Sequence, residues 1–224
     1  GFGGDQFALI PPGSFRMGST VTTRTDEGPV RTVTITRPFR MQRTEVTRAQ
    51  WRSVMDSLPP QSSRCPIDAC PVDAVSWREV QEFIRRLNLR DPGRAYRLPT
   101  EAQWEYAARA GATGLSPVAP GGLNASAWVT NVIWSWPVAV LLPNAFGLHD
   151  VVGNLWEWVA DWYAVDYYTR APAVDPPGPD STGVRSYRGG AVGSGVARST
   201  LSARGGGAPE GRFADVGFRL VRDP

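Results

Sequence analysis

One histidine, two cysteines and no long apolar run leave this 224-residue chain few routes to metal, hydrolytic or membrane chemistry. Cys65 and Cys70 together with His149 cannot fill a tetrahedral zinc site, so a loop disulfide within SSRCPIDACPVD is the expected state. An oxidised pair would place the protein outside a reducing cytosol, extracytoplasmic or at a cell surface, or in a thermophile. A Ser-His-Asp triad would have to use His149, and no G-x-S-x-G elbow occurs. His149 in GLHDVVGN reads better as a turn residue than as a ligand. A formal charge of +3 is too small, and the arginines too dispersed, for a nucleic-acid partner. No stretch is long enough to span a bilayer. The chain opens on GFGGDQFALIPPG without a signal peptide, as a trimmed start would, so that absence says little about compartment. No repeat, linker or charge block divides the sequence, which argues for one domain over residues 1–224.

What the chain does have is 9 Trp among 24 Gly and 20 Pro, the composition of a loop-rich fold whose large aromatics fix irregular backbone. FALIPPGSFRMG reads as strand, turn and strand, and PVRTVTITRPFRMQRTEVT alternates through Val30, Val33 and Ile35 as a half-buried strand does. Three helix starts carry one chemistry. Thr47 with Gln50, Ser76 with Glu79, and Thr100 with Gln103 are capping boxes, in which a hydroxyl and the third helical side chain satisfy each other's backbone amides. Apolar residues then recur at helical spacing: Trp51, Val54 and Met55; Val80, Phe83, Ile84 and Leu87; Trp104, Ala107 and Ala108. Gly111 is placed to stop the last helix. From Gly114 onward the periodicity disappears into short strand-like pieces, NLWEWVADWY, VRSYRGG and VGFRLVR. The pattern predicts one mixed α and β domain with a small irregular sheet.

Six ordered segments, IPPGSFRMGS, TEVTRAQW, CPVDAVSW, YRLPTEAQWEYAARAG, PNAFGLHDVVGNLWEWVADWY and YRGG with its closing VGFRLVR, resemble the formylglycine-generating-enzyme (sulfatase-modifying factor) family over nearly the whole chain. The resemblance implies an α+β class: the elaborated C-type-lectin-like fold, with a small antiparallel sheet, few helices and much irregular loop. It does not supply a function, because the family is mixed. Its oxidases bind copper through a cysteine pair in the segment after RGG, thiolate being the ligand soft Cu(I) requires. Here that segment is RGGAVGSGVARSTLSARGGG, without a thiol, so no copper is expected. Its sulfoxide synthases hold iron with histidines from an added helical bundle, and one histidine without such a domain predicts no iron.

The resemblance does imply a structural calcium ion at HDVVGNLWEW, with carboxylate oxygens from Asp150 and Glu157 and backbone carbonyls from Gly153 and Leu155. The alternative is that Asp150 caps a turn and Glu157 pairs with an arginine. A second family calcium site needs an acidic loop before PNAFG; WVTNVIWSWPVAVLLPN has no acid, and none is expected.

Among non-enzymatic relatives are variable proteins of diversity-generating retroelements, whose segment from RGG to GFR is rewritten by adenine-directed mutagenesis and displayed as a ligand-binding face. By that resemblance residues 188–219 form the variable segment. Arg188, Gly189, Gly190, Ala197, Arg198, Ser202, Ala203, Pro209, Arg212, Gly217, Phe218 and Arg219 would be its anchors. Val192, Gly193, Ser194, Ser199, Thr200, Leu201, Arg204, Gly206, Gly207, Phe213 and Asp215 would be its face, with Phe213, Leu201 and Arg204 the best contacts. The expected protein is thus a non-catalytic binding module whose partner is an unknown ligand, a protein or other surface macromolecule. The competing expectation is an oxidase or another metal-dependent enzyme of the same family.

Overall fold

The computed structural model describes residues 2–21, 23–60, 65–116 and 135–224. The first half of the acid-free loop WVTNVIWSWPVAVLLPN, residues 128–134, lies outside the described residues. Four N-terminal strands form, one more than the patterning predicts, because the run expected as a single strand divides around Pro38: β1 (Phe7–Ile10), β2 (Gly13–Met17), β3 (Arg31–Ile35) and β4 (Phe39–Gln42). They do not pair in the order of a simple hairpin. β1 joins β4, β2 joins β3, and β9 (Val221–Arg222) from the end of the chain completes the first sheet against β4. On β3, Val33 and Ile35 point inward, as period-two patterning demands.

All three predicted helices are present, α1 (Arg48–Met55), α2 (Trp77–Arg90) and α3 (Glu101–Arg109), each opened by its capping box. The start of α1 is satisfied more fully than the box alone allows. The Arg48 amide donates to Cys70 O at 2.8 Å and the Ala49 amide to Asp68 O at 3.2 Å. Two of the orphan donors of a helix N-terminus are thus met by carbonyls of the loop that the Cys65–Cys70 disulfide closes, with Cα atoms 6.0 Å apart. α3 turns left-handed at Ala110, φ 45°, one residue before the expected Gly111, which follows at φ 91°.

A four-stranded sheet, ordered β7-β6-β5-β8, carries the C-terminal half: β5 (Trp156–Trp162), β6 (Arg185–Arg188), β7 (Arg204–Gly207) and β8 (Val216–Phe218). Only β5 and β8 run parallel. Two apolar clusters hold these parts together. One gathers Ile10, Val33, Phe39, Trp104, Leu148 and Leu201. The other gathers Trp51, Phe83, Leu87, Trp158 and Phe218, with the Trp51 and Phe83 rings stacked 5.1 Å apart. No helix among the described residues is long and apolar enough to cross a membrane.

Candidate functional site

The segment from Arg188 to Arg219 enters through two glycines. Gly189 and Gly190 have φ of 96° and 78°, a region that glycine occupies without strain. A Cβ at Gly190 would stand 2.5 Å from the Ser199 Cα, and one at Gly189 2.9 Å from the Trp104 ring. The turn is therefore closed on its own return path and on α3.

Ionic bonds then hold that path from beneath. Arg188 donates to Ser202 O at 2.9 Å, to Leu201 O at 3.2 Å and to the Glu105 carboxylate. Arg204 grips Glu101 through Nε at 2.5 Å and Nη2 at 2.9 Å, and donates to Asp26 O at 2.9 Å. The Ser202 hydroxyl donates to Glu27 Oε2 at 2.7 Å. Burial alone would raise the Glu101 carboxyl, but the Arg204 and Arg188 guanidinium groups outweigh it and hold it below the usual carboxylate range. Asp161 goes the other way: burial pushes its carboxyl up to about 8, with the Glu101 charge adding to the shift.

This anchoring corrects the expected face. Leu201 is 0% exposed in the first apolar cluster, Arg204 is 0% exposed under its ion pair, and Ser199 and Thr200 are buried too. Gly207 is buried and Gly206 half-buried, because aromatic rings lie over the glycine backbone of β7. A Cβ at Gly206 would meet the Tyr163 ring at 2.8 Å and one at Gly207 the Phe213 ring at 2.5 Å. Phe213 is itself half-buried, 5.9 Å from the Trp158 ring. The physical reason is shared: the stretch 199–207 pairs with β6 through β7 and is tied to α3 through Glu101, so its side chains meet core and it cannot be a display strip.

Solvent is reached on either side of that stretch. Val192 and Ser194 are half-buried, while Gly193 and the turn Val196–Arg198 are exposed. Ala208, Glu210, Arg212, Ala214 and Asp215 are exposed on the second arc. Ala197, Arg198 and Arg212, expected as anchors, thus lie outside, although Arg212 is tied to Glu79 at 2.6 Å. Half-buried Tyr187 sits between the arcs. Burial pushes its hydroxyl up, the Asp215 charge adds to this, and the Arg198 and Arg24 charges oppose it.

The nucleophile inventory on this surface is small. The Ala191 amide donates to Ser194 Oγ at 3.4 Å, and the Ser199 hydroxyl donates to Ala191 O at 3.4 Å. His149 spends Nδ1 on Leu141 O at 2.8 Å, the turn role expected of it. These contacts contain no nucleophile–base pair. Both cysteines are in the disulfide. A cleft of about 470 Å³ lined by Ile35, Arg37, Phe39, Arg97, Gln103 and Asp175 includes none of the expected site residues.

At the expected cation site, both contacts of the ion-free alternative are present. Glu157 receives Arg219 Nη2 on Oε1 at 2.6 Å, Arg219 Nε on Oε2 at 2.7 Å, and the Trp104 indole N–H on Oε2 at 2.7 Å. The Ala139 amide donates to Asp150 Oδ2 at 2.8 Å. The loop between them coils left-handed at Asp150, Gly153 and Asn154, with φ of 56°, 86° and 56°. Among the described residues no three His, Cys, Asp or Glu side chains form a metal-holding group. Those contacts nevertheless leave buried acceptors over. Asp150 Oδ1 has no hydrogen-bond partner, and neither has Glu45 Oε1 or Oε2. Buried lone carboxylate oxygens on a carbonyl-rich loop fit a hard cation. Glu45, in TEVT, carried no signal in the sequence beyond being an acid between a strand and a helix.

Comparison with known proteins agrees with this architecture. The formylglycine-generating enzyme of Streptomyces coelicolor is 33% identical over 205 residues, covering 80% of this chain and 60% of that protein. The chain thus spans less than two thirds of that relative's length. The bovine protein named inactive C-alpha-formylglycine-generating enzyme 2 is 30% identical, covering 95% of this chain and 86% of its own. Among solved structures, PvdO from Pseudomonas aeruginosa superposes with a TM-score of 0.87 at 28% identity, covering 97% of this chain and 94% of PvdO. Treponema denticola variable protein 1 does so with a TM-score of 0.85 at 26% identity, covering 97% and 95%. The α+β, C-type-lectin-like fold expected from the motifs is the one found. With the sulfatase-modifying factor enzyme 1-like family model matching residues 3–224, this chain belongs to that family.

Proposed function

We propose that this chain is a recognition module without catalytic chemistry, presenting residues 192–198 and 208–215 around Tyr187 to a protein or other surface macromolecule. The observation that carries the reading is the fate of the thiols. The only two cysteines close a disulfide beside α1, so no free thiolate remains to hold copper. The likeness to a relative named inactive and to a variable protein supports it. The disulfide also favours an extracytoplasmic setting. A hard cation of the calcium class belongs to the same reading, as a pin for the 150–157 loop.

The exposed arcs replace the wider face expected from the motifs. They consist of loops held by a rigid frame, the arrangement in which binding surfaces commonly vary. The test is direct. Protein loaded with copper and supplied with oxygen and a cysteine-containing peptide should leave the peptide unmodified by mass spectrometry. Conversion of that cysteine to formylglycine overturns the non-catalytic reading. Diversification is tested separately in the DNA beside the gene. A near-copy of the RGG-to-GFR segment differing only at adenines is expected, and its absence removes the retroelement part of the reading.

A further inference from the structure

Glu45, Asp150 and Glu157 occupy one buried neighbourhood with a single guanidinium, Arg219, at exposures of 0%, 2%, 1% and 0%. The backbone brings them together. The His149 amide donates to Arg43 O at 2.8 Å, and the Val46 amide to Phe218 O at 2.9 Å. Arg219 spans the same gap, from Gln42 O at 3.4 Å and Arg43 O at 3.3 Å to His149 O at 2.9 Å. The connection from β4 to α1, which bears Glu45, is therefore laid along residues 149–150.

Charge counting separates this neighbourhood from the other buried ionic cluster. Under β6, Glu101 and Glu105 meet Arg188, Arg204 and Arg109, and each carboxylate is matched. Around Arg219, three ionised carboxylates would face one cation, leaving two negative charges. Arg219 is committed to Glu157 through both oxygens, so the imbalance falls on the other two acids. Those are the ones whose oxygens lack partners, both on Glu45 and one on Asp150. The Glu45 carboxyl faces the Asp150 and Glu157 carboxyls as well as the Arg219 guanidinium. An unpaired buried carboxylate costs far more than a lost hydrogen bond, and a divalent cation would cancel the two charges.

We infer that Glu45 and Asp150, and not Asp150 with Glu157, are the carboxylates that hold a hard divalent cation in this chain. The inference rests on the cation reading above and changes its ligands. It also gives the ion a wider reach, because Glu45 belongs to the N-terminal strands and Asp150 to the C-terminal loops.

Terbium is the probe, since the Trp104 indole, 2.7 Å from Glu157 Oε2, is placed to sensitise its luminescence. Chelator-stripped wild-type protein should show one saturable Tb³⁺ signal displaced by CaCl₂. Glu45→Gln should bind Tb³⁺ about ten-fold or more weakly. It should also melt above wild type in chelator, having lost an unpaired buried acid, and gain nothing from calcium. If Glu45→Gln does not fold, Glu45→Asp serves, and unchanged Tb³⁺ affinity in whichever variant folds overturns the assignment while leaving a cation site with other ligands. Wild-type protein with neither saturable Tb³⁺ binding nor a calcium-dependent melting shift overturns the site itself.

Discussion

Arg204 holds Glu101 side-on, with Nε and Nη2 at 2.5 and 2.9 Å from its two oxygens, and both residues are almost wholly buried. The pair joins the last third of the sequence to the first turn of α3. Removing one partner leaves a charge in the interior without compensation. Arg204→Ala should therefore destabilise the protein by about 3–5 kcal/mol in urea unfolding. Exposed Arg198→Ala should change stability by no more than about 0.5 kcal/mol. Equal effects would mean that the two arginines share one role, contrary to their burial.

Leu201 offers a second contrast within the same segment. It is 0% exposed among core side chains, so Leu201→Ala should cost about 2–5 kcal/mol by transfer and cavity terms. Ala197→Tyr and Asp215→Tyr, on the exposed arcs, should leave the melting temperature nearly unchanged. The measurement is thermal unfolding by circular dichroism. A tolerant Leu201 would return that residue to the display surface.

Asp161 sets a pH dependence. Its carboxyl is pushed up to about 8 by burial and the Glu101 charge, against an ordinary value of 3.8. The folded state therefore binds this proton more tightly than the unfolded chain, and stability falls as pH rises between those two values. Asp161→Asn, which keeps an oxygen for the Glu101 amide that now donates to Oδ2 at 2.7 Å, should be more stable than wild type near pH 8. The gap should close as pH falls toward 4. A constant difference across that range would show that the aspartate is ionised throughout.

The Cys65–Cys70 bridge closes a short loop, for which chain entropy predicts about 2 kcal/mol of stabilisation. Because Cys70 O and Asp68 O receive the Arg48 and Ala49 amides, reduction should act locally as well. Hydrogen exchange at Arg48 and Ala49 should accelerate in dithiothreitol, while the first turn of α3 stays protected. Unchanged protection at α1 would mean that the loop holds its shape without the bond.

The helices were legible because their signals are local. A hydroxyl three residues ahead of Gln or Glu states its own hydrogen bonds, and all three boxes formed. The face was less legible, since Leu201 and Arg204 stand among Gly, Ala and Ser with no periodicity to assign them a side. Arg204 is buried by its pairing with Glu101 and Leu201 by the apolar cluster that contains Trp104, each roughly a hundred positions upstream. Gly206 and Gly207 misled for a related reason. They resemble free positions in sequence, yet they are small because rings lie on them. The unpartnered state of Glu45 was invisible, being created where residues 43–46 meet 149 and 218.

The glycine strand under its aromatic cover has a practical consequence for anyone building a combinatorial library on this scaffold. Randomising 188–219 wholesale would put most clones into misfolded chains, since every codon from 199 to 207 would be asked to vary inside packed material. Two short cassettes, 194–198 and 208–215, would spare that stretch. Gly195 should be held fixed, because its φ of 76° resists most side chains, Pro209 because it is buried, and Phe213 because its ring covers Gly207. The yield of folded clones, compared between the two designs, would read out how the chain divides its tail between foundation and shopfront.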